Sequence, residues 1–421
     1  MHISVKNKIV TIVGLGRSGI ASAKLILQLG GQVKVSDSAS AKKIQQSLID
    51  SKLEKKIIVE SGQHTKEFIQ DSDLLVLSPG VRFDAQPVLW AREKNIPVLG
   101  EIEFAWQHCP CGVVAITGSN GKTTTATVTA EILKTAGRSV ALCGNIGSPF
   151  SKYVLGLKPT DLVVLEVSSF QMETIETFKP HVAVFLNFSQ NHLDRHKDLE
   201  EYFTAKARIF MNQTSEDFAI LDFNEPRHQE LAKTLKSKVL FYNKSGCFDE
   251  SIKNPNFLAA MTACSALGVP LETAKKVFST FKGVEHRQEF VRTLDGVDYV
   301  NDSKSTTVEA GRLAMTLIEK PLIFICGGLN KHLNFSPLRE LAKKKIRKMI
   351  VIGKAKEEIK GVFSDVVALE EGTTLEDAVK KAKASAKPGD CVILSPMCAS
   401  FDMFDNFEHR GKEFKRIVHQ L

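Results

Sequence analysis

Residues 113–125 read VVAITGSNGKTTT, and this stretch decides the class of fold. The apolar run 113–116 predicts a buried strand, and the residues after Gly121 continue as a helix with one apolar face. In a loop of this kind the backbone amides bind phosphates, Lys122 reaches the outer phosphates, and the Thr123 hydroxyl binds Mg²⁺. The stretch therefore predicts a strand, a phosphate-binding loop and a helix, although Ile116 stands where the usual motif has glycine.

Short apolar runs lie on both sides of this loop, and a helical pattern follows them. They are residues 9–13, 74–77, 162–165, 182–186, 322–326, 349–352 and 391–394. Continuous apolar strands that alternate with helices are typical of parallel sheets covered on both faces. A chain of 421 residues corresponds to about three domains. We expect an α/β protein with a Rossmann-like domain (1–100), a central phosphate-loop ATPase domain with a mostly parallel sheet (101–283) and a second Rossmann-like domain (284–421).

The composition is that of an ordinary globular protein, with 43% hydrophobic and 25% charged residues. No apolar run approaches the ~20 residues of a membrane span, and the first residues lack the apolar segment of a secretory signal, so we expect a cytoplasmic protein. The net charge of +8 suits an anionic small molecule. The basic run 343–348 lacks interleaved aromatic residues, so we expect no nucleic-acid partner.

Cysteines are sparse, and only Cys109 and Cys111 lie close together in the sequence. Their one-residue spacing is not the two-residue gap of zinc knuckles or thioredoxin-like sites. We therefore expect reduced and mostly buried thiols.

A second glycine-rich motif, GLGRSG, occupies residues 14–19 between a predicted strand and a helix, and Asp37 ends the next predicted strand. Glycines allow the backbone to approach a pyrophosphate at the helix N-terminus, and the acid can accept a ribose hydroxyl. The pattern predicts an anionic nucleotide-like ligand and leaves NAD open.

Polar residues follow the two strands predicted after the phosphate loop. Glu166 ends the first of them, and Asn187 ends the second. The carboxyl ends of parallel strands point into the crevice where ligands bind, so Glu166 can hold a metal ion beside the phosphates. His192 lies just past this crevice in the stretch NHLD (191–194), which favours a functional role over a structural one.

Taken together, the phosphate loop, EVSSFQ (166–171) and NHLDR (191–195) resemble the Mur ligases of bacterial cell-wall synthesis. Residues 301–306, 327–331, 395–402 and 406–408 resemble the member that adds D-glutamate to UDP-N-acetylmuramoyl-L-alanine (UDP-MurNAc-L-Ala). The resemblance spans nearly the whole chain. It implies ATP, two Mg²⁺ ions, an acyl phosphate and a tetrahedral intermediate in peptidoglycan precursor synthesis, and we expect a monomer that acts on small molecules without a membrane partner.

The resemblance also implies the residues of each site. The uridine nucleotide should contact Arg17, Ser18, Asp37, Ser38 and Gly80. ATP should contact Gly118, Ser119, Asn120, Gly121, Lys122, Thr123, Thr124, Asn145, Arg287 and Asp302. D-glutamate should contact Lys304, Thr306, Lys331, Ser400, Phe401 and Phe407. The catalytic residues should be Lys122, Glu166, His192 and Lys206. Thr123 and Glu166 should hold one Mg²⁺, and His192 with a carbamylated Lys206 should hold the second.

Some positions depart from the family pattern or have another interpretation. Ala39, Lys253 and Leu329 replace residues usual in related enzymes. From the residues alone, Lys206 is expected to be a solvated lysine, and Phe401 with Phe407 to be core residues. Three alternatives remain: an NAD-dependent dehydrogenase, another ligase such as a different Mur ligase or a folylpolyglutamate synthetase, and a nucleotide-binding protein without catalysis.

Overall fold

The structure is a computed structural model that describes residues 3–190, 195–245, 252, 254–281, 283–330 and 333–421. It divides into two compact units, Met1–Thr280 and Phe281–Leu421. The first unit contains two sheets and the second contains one. The predicted three-domain α/β fold is confirmed, whereas the boundaries at residues 100 and 283 stay predictions.

The first sheet is parallel, with strand order β3-β2-β1-β4-β5 in the described residues. Its strands are β1 (Ile9–Val13), β2 (Gln32–Asp37), β3 (Ile57–Ser61), β4 (Leu74–Leu77) and β5 (Val98–Gly100). Its helices are α1 (Arg17–Gln28), α2 (Ala41–Ser51), α3 (Lys66–Gln70), α4 (Gln86–Glu93) and α5 (Glu101–Trp106). The order places β1 beside both β2 and β4, so ligand-binding loops meet at its carboxyl end.

The glycines after β1 are required by close packing. A Cβ atom on Gly19 would lie 2.1 Å from the Gly14 carbonyl oxygen, so a larger residue there would push α1 away from the turn. Gly14 has φ +90°, a backbone conformation that residues other than glycine rarely adopt. The turn predicted from the sequence is therefore present.

The second sheet is also parallel, in the order β11-β10-β9-β6-β8-β7 over the described ranges. Its strands are β6 (Gly112–Thr117), β7 (Val140–Gly144), β8 (Leu162–Glu166), β9 (Val182–Phe185), β10 (Phe218–Asp222) and β11 (Lys238–Tyr242). Its helices are α6 (Lys122–Thr135), α7 (Ser169–Met172), α8 (Leu199–Ala207), α9 (Pro226–Ala232), α10 (Pro255–Ala266) and α11 (Leu271–Thr280). Short 3₁₀ helices cover Phe150–Lys152, Val154–Gly156 and Arg208–Phe210.

The register of this sheet aligns the loops that follow its central strands. Ile116 pairs with Glu166, Gly144 also pairs with Glu166, and Thr117 pairs with Phe185. Four strands therefore end at nearly the same level, which brings their following residues together at one edge.

The third sheet is mixed, with the order β12-β13-β17-β14-β15-β16 and an antiparallel pair, β12 and β13, at one edge. Its strands are β12 (Glu289–Leu294), β13 (Val297–Asn301), β14 (Leu322–Gly327), β15 (Ile346–Ile352), β16 (Ala368–Glu371) and β17 (Cys391–Leu394). Its helices are α12 (Val308–Leu317), α13 (Arg339–Lys345), α14 (Lys356–Phe363), α15 (Leu375–Ser385) and α16 (Phe407–Gln420), with a 3₁₀ turn at Ser336–Leu338. Buried residues line both faces of this sheet.

Within the described part of the chain, every helix is too short or too polar to cross a membrane. Of the seven described cysteines, six are buried and all are free thiols. Burial raises the pKa of the Cys111 thiol to about 12, and its sulfur lies 3.7 Å from that of Cys109.

Candidate functional site

The phosphate loop lies between β6 and α6, where the sequence places it. Gly118 and Gly121 have φ values of +152° and +80°, which glycine adopts without strain. A Cβ atom on Gly121 would lie 2.0 Å from Oδ1 of Asn256. The Lys122 ammonium donates hydrogen bonds to the carbonyls of Gly118 at 2.8 Å and of Ser119 at 3.1 Å. The loop is thus tightly wound, and its lysine lies against it.

Glu166 ends β8, and the ends of β6 and β7 pair with it on either side. Its carboxylate is 1% exposed and accepts two hydrogen bonds of 2.8 Å, one on each oxygen. The Thr123 hydroxyl donates the first, and the Asn145 side-chain amide donates the second. A buried carboxylate beside a phosphate loop attracts a cation, and its two donors fix its orientation.

Lys206, on α8, is buried at 1% exposure, so the expectation of a solvated lysine is wrong. Its ammonium donates a 2.9 Å hydrogen bond to the Gly118 carbonyl and lies 4.5 Å from the centre of the Tyr202 ring. Burial lowers the pKa of Lys206 well below its ordinary value, and the nearby Lys122 charge lowers this pKa further, against the opposing effect of Glu166. Its amine is therefore shifted toward the uncharged form at the phosphate loop.

Two residues after β9, Asn187 and Ser189, form hydrogen bonds with the phosphate loop. The Asn187 side chain accepts from the Asn120 amide at 2.9 Å and donates to the Asn120 carbonyl at 3.1 Å. The Ser119 hydroxyl donates to the Ser189 carbonyl at 3.1 Å and accepts from the Ser189 amide at 3.0 Å. Sequence reasoning identified Asn187 but missed Ser189 and Asn256, because their link to the loop depends on the tertiary fold.

A cavity of about 420 Å³ lies within the first unit, between the glycine-rich turn after β1 and the loop after β7. The residues that the sequence assigns to the uridine nucleotide all line it, as does Asn145. They are Arg17, Ser18, Asp37, Ser38 and Gly80. Asn145 therefore faces this cavity and also bonds to Glu166, so the cavity adjoins the phosphate-loop site.

Asp37 organises the turn at the β1 end of the cavity. One carboxylate oxygen accepts from the Leu15 amide at 2.6 Å, and the other accepts from the Ala39 amide at 2.7 Å. Although Ala39 replaces a residue usual in related enzymes, its backbone amide still donates to Asp37. His64 and Gln171 also line the cavity, and the sequence analysis assigned neither to it: His64 lies outside the recognised motifs, and Gln171 belongs to the EVSSFQ motif of the second sheet, whose approach to this cavity depends on the tertiary fold.

The second unit contains the other candidate nucleotide residues, around Asp302. Its carboxylate, 6% exposed, accepts from the Ser395 hydroxyl at 3.0 Å and from the Gln288 amide at 3.1 Å. Burial raises the pKa of Asp302 to about 7, although the hydrogen bonds from Ser395 and Gln288 and the charge of Arg287 lower it. His286, beside Arg287, has φ +65° and is 3% exposed, so it is a structural part of this turn.

The residues assigned to D-glutamate also lie in the second unit, with different exposures. Ser400 is 2% exposed and Thr306 is half-buried, whereas Phe401 is 65% exposed, so the core interpretation of Phe401 is wrong. The Lys304 ammonium lies 5.1 Å from the centre of the half-buried Phe407 ring. Leu329 pairs with Ala399 through two backbone hydrogen bonds of 2.9 and 3.1 Å, so its departure alters a side chain only.

Three residues of the sequence predictions lie outside the described residues: His192, Lys253 and Lys331. Among the residues that the structure describes, no three His, Cys, Asp or Glu side chains are grouped so that they could hold a metal ion. The Thr123 hydroxyl and the Glu166 carboxylate, 2.8 Å apart, are hard oxygen donors of the kind that Mg²⁺ prefers. These two side chains fit a magnesium ion whose remaining ligands come from elsewhere.

The sheets, the phosphate loop and the adjoining cavity define a multidomain nucleotide-binding protein of the α/β class. Comparison with known families assigns residues 8–100 to the Mur ligase MurD-like N-terminal domain, 116–264 to the Mur ligase middle domain and 286–398 to the Mur ligase glutamate ligase domain. The chain belongs to the Mur ligase family.

Curated relatives match over the full length. A UDP-N-acetylmuramoylalanine–D-glutamate ligase of Koribacter versatilis is 42% identical, over 100% of this chain and 99% of the relative. A ligase of the same name from Lawsonia intracellularis is 40% identical, over 98% and 94%.

Solved structures share the fold at lower identity. A MurF ligase of Thermotoga maritima in complex with ADP has a TM-score of 0.61 at 17% identity, and covers 100% of this chain and 97% of its own. The UDP-N-acetylmuramate–alanine ligase of the same organism has a TM-score of 0.60 at 17% identity, over 98% of this chain and 100% of its own. These likenesses extend the family fold to the whole chain.

Proposed function

We propose that this chain is an ATP-dependent ligase that adds D-glutamate to UDP-MurNAc-L-Ala in peptidoglycan precursor synthesis. The observation that carries the proposal is the junction at Asn145, whose side chain lines the cavity of the first sheet and also bonds to Glu166 beside the phosphate loop. A substrate in this cavity would have one end next to the triphosphate. The full-length relatives that bear this ligase's name support the amino acid and the acceptor.

The cavity has the features that a UDP-sugar needs. Backbone amides at the start of α1 and the glycines before it can approach a pyrophosphate, and Arg17 adds a positive charge. The end near Asn145 then receives the sugar and its L-alanyl group. The acceptor carboxylate of the substrate is thereby directed toward Glu166 and Lys122.

Thr123 and Glu166 would hold one Mg²⁺, and His192 with a carbamylated Lys206 would hold the second. When bound, the ions neutralise charge on the transferring phosphoryl group. The surroundings of Lys206 support its carbamylation: only an uncharged amine reacts with CO₂, and burial disfavours the ammonium form.

In the first chemical step, a carboxylate oxygen of the L-alanyl group forms a bond to the γ-phosphorus, and ADP leaves as the β,γ-bridging bond breaks. The residues of the loop position this reaction. The amides after Gly118 bind the phosphates, and Lys122 stabilises the charge that develops on the γ-phosphoryl oxygens. Asn187 and Ser189 keep the loop fixed, so little reorganisation is needed.

In the second step, the uncharged amine of D-glutamate attacks the acyl carbon. The tetrahedral intermediate collapses when the bond between the acyl carbon and the phosphate oxygen breaks, so that inorganic phosphate leaves and the nitrogen loses a proton to water as the amide forms. Lys304, Thr306, Lys331, Ser400, Phe401 and Phe407 would bind the amino acid through donors and apolar contact. Arg287 and Asp302 would contact ATP.

The proposal is tested by phosphate release from ATP. We expect release only when UDP-MurNAc-L-Ala and D-glutamate are both present. Equal rates with L-glutamate or meso-diaminopimelate would assign the chain to another ligase. NADH fluorescence that responds to the protein, without ATP turnover, would favour a dehydrogenase. Binding of both nucleotides without turnover would indicate a non-catalytic protein.

Carbamylation of Lys206 has its own test. Under ¹³C-bicarbonate, we expect a carbamate carbon resonance that disappears in Lys206→Ala and remains in Lys233→Ala, since Lys233 is an exposed lysine on the surface. A spectrum without this resonance in the wild-type protein would contradict the assignment.

A further inference from the structure

His64 lies in the wall of the cavity of about 420 Å³ in the first unit. It stands in the loop between β3 and α3, is half-buried, and lines the cavity together with Asp37 and Ser38. The Gly62 amide in the same loop donates to the carbonyls of Asp37 and Ala39, both at 2.9 Å. The loop after β3 is therefore held against the loop after β2.

A series of hydrogen bonds determines which ring nitrogen of His64 carries a hydrogen. The Glu60 carboxylate accepts from the Ser36 hydroxyl at 2.6 Å and from the Thr65 amide at 3.1 Å, and it also accepts from the Thr65 hydroxyl. The fully buried Ser36 has one hydroxyl hydrogen and donates it to Glu60, because a carboxylate only accepts. Nδ1 of His64, which lies 2.7 Å from the Ser36 oxygen, is then the donor of the bond between them.

The other ring nitrogen, Nε2, is available to a ligand. In an uncharged imidazole whose hydrogen is on Nδ1, Nε2 carries a lone pair and accepts a hydrogen bond. Within the part of the chain that the structure describes, Nε2 of His64 has no hydrogen-bond partner, whereas Nδ1 is turned toward the buried Ser36. His64 therefore presents one acceptor whose position is fixed by the bond to Ser36.

The order of the strands indicates which part of a nucleotide would reach His64. In the order β3-β2-β1-β4, the glycine-rich turn follows β1, and β3 lies two strands away, about 10 Å at the usual spacing. Under the proposed function, the pyrophosphate lies at this turn, and the muramoyl sugar extends toward Asn145 of the second sheet. The uridine then extends the other way, over the loops after β2 and β3, so its base lies next to His64.

Uracil and cytosine differ at the atom that such an acceptor contacts. N3 of uracil carries a hydrogen and donates, whereas N3 of cytosine has a lone pair and accepts. We propose that His64 selects uracil: its Nε2 accepts from N3–H of this base and would face a second lone pair in cytosine. This inference deepens the proposed function and rests on it.

The experiment measures the affinity of the full-length protein for UDP and CDP by isothermal titration calorimetry. The wild type should bind UDP about tenfold more tightly than CDP, because cytosine replaces a hydrogen bond with two opposed lone pairs. 3-Methyl-UDP, which lacks the N3 hydrogen, should bind the wild type about as weakly as CDP. This ligand tests the contact without any change to the protein.

Two substitutions at His64 separate the roles of its two nitrogens. The short amide of His64→Asn can replace only the Nδ1 bond to Ser36, so the preference for UDP over CDP should fall to about twofold or less. The longer amide of His64→Gln can place its oxygen near the position of Nε2, so this variant should keep part of the preference. The matched control is His181→Asn, because His181 is also half-buried but lies at the amino end of β9, where it contacts Asp217. It should keep the wild-type preference.

Ser36→Ala tests the hydrogen bond that orients the ring. Without the Ser36 oxygen, Nδ1 has no fixed acceptor, so the ring hydrogen can move to Nε2 and the preference for UDP should fall by about threefold. This effect should be smaller than that of His64→Asn. The melting temperature of each variant without nucleotide is measured beside its affinity, and if His64→Asn does not fold, His64→Gln and 3-methyl-UDP decide the test.

The outcomes separate this inference from the proposed function. A preference for UDP that persists in His64→Asn would overturn it, as would a wild type that binds UDP, 3-methyl-UDP and CDP equally well. If His64→Asn weakened the binding of UDP but not of 2′-deoxy-UDP, His64 would contact the ribose, and its role in selecting the base would be wrong. A wild type that binds none of these nucleotides would instead overturn the proposed function, and the inference with it.

Discussion

The phosphate-loop region of the first unit and the candidate D-glutamate region of the second are built differently. Around Glu166, buried side chains bond to one another, and Lys206 is almost wholly buried. In the second unit, Phe401 is 65% exposed, and the Lys304 ammonium lies 5.1 Å from the centre of the half-buried Phe407 ring. The contrast teaches that the phosphate loop is preorganised by its own hydrogen bonds, whereas the region proposed to bind D-glutamate exposes a side chain that a bound ligand would order.

The largest effect on activity is expected at Lys122, in the preorganised phosphate loop. Lys122→Ala should lower phosphate release by about a hundredfold or more, because it removes a cation that stabilises the transition state. The control is Lys134→Ala at the other end of α6, where Lys134 is exposed and pairs with Glu131. Phosphate release is measured at saturating substrates. Retention of near wild-type rates in Lys122→Ala would show that the loop is not the ATP site.

The next prediction concerns the preorganised turn of the first sheet. Gly19→Ala should destabilise the protein by about 1–3 kcal/mol, because the added methyl would overlap the Gly14 carbonyl. Gly16→Ala is the control for stability, since a Cβ atom there meets nothing within 4 Å. The melting temperatures of the two variants are measured by thermal denaturation, and that of Gly19→Ala should be the lower. Equal melting temperatures would mean that the close packing of α1 is not required.

In the second unit, the buried Asp302 carboxylate should make the stability of the protein depend on pH. Because burial raises the pKa of Asp302 from 3.8 to about 7, its contribution to stability is full below pH 4 and is lost as the pH rises to about 7. Asp302→Asn, which stays neutral, should therefore gain stability relative to the wild type between pH 5 and pH 8.

Urea unfolding midpoints at these two pH values measure this difference. Asp365→Asn is the control, because Asp365 is exposed and its pKa is lowered by its hydrogen bond to Arg339, so it stays ionised across this range. A constant difference between Asp302→Asn and the wild type would contradict the raised pKa.

The smallest effect on stability is expected at Phe401. Phe401→Ala should change the free energy of unfolding by less than about 0.5 kcal/mol because the side chain is mostly exposed, yet it should raise the KM for D-glutamate. Phe290→Ala, another exposed phenylalanine of the second unit, should change neither quantity. A KM for D-glutamate that Phe401→Ala leaves unchanged would remove this residue from the proposed pocket.

Local motifs could be read from the sequence because they depend on the backbone. The phosphate loop and the glycine turn after β1 require glycines at positive φ or in close approach, and those residues are visible in the sequence. The position of Glu166 at the carboxyl end of a parallel strand could also be predicted, whereas the register of its neighbours is known only from the structure.

Other features could not be read from the sequence because they depend on distant partners. The side chains of Thr125 and Asn256, 131 residues apart, meet at 3.4 Å, and only the packing of α10 on α6 brings them together. Lys206 lies on a helix that looks polar, so its burial follows from tertiary packing and not from its neighbours in sequence. The Arg195 guanidinium donates to the carbonyls of Pro79 and Val81, which precede it by more than a hundred residues, and these contacts also follow from tertiary packing.

The central claim is that ATP activates the L-alanyl carboxylate next to the phosphate loop. It is tested most directly with UDP-MurNAc-L-Ala that carries ¹⁸O in this carboxylate, followed by mass analysis of the phosphate released during ligation. The account predicts that each phosphate contains one ¹⁸O atom, because the carboxylate oxygen bonds to phosphorus and stays there when the amide forms. Phosphate free of ¹⁸O, with the amide still produced, would contradict the account.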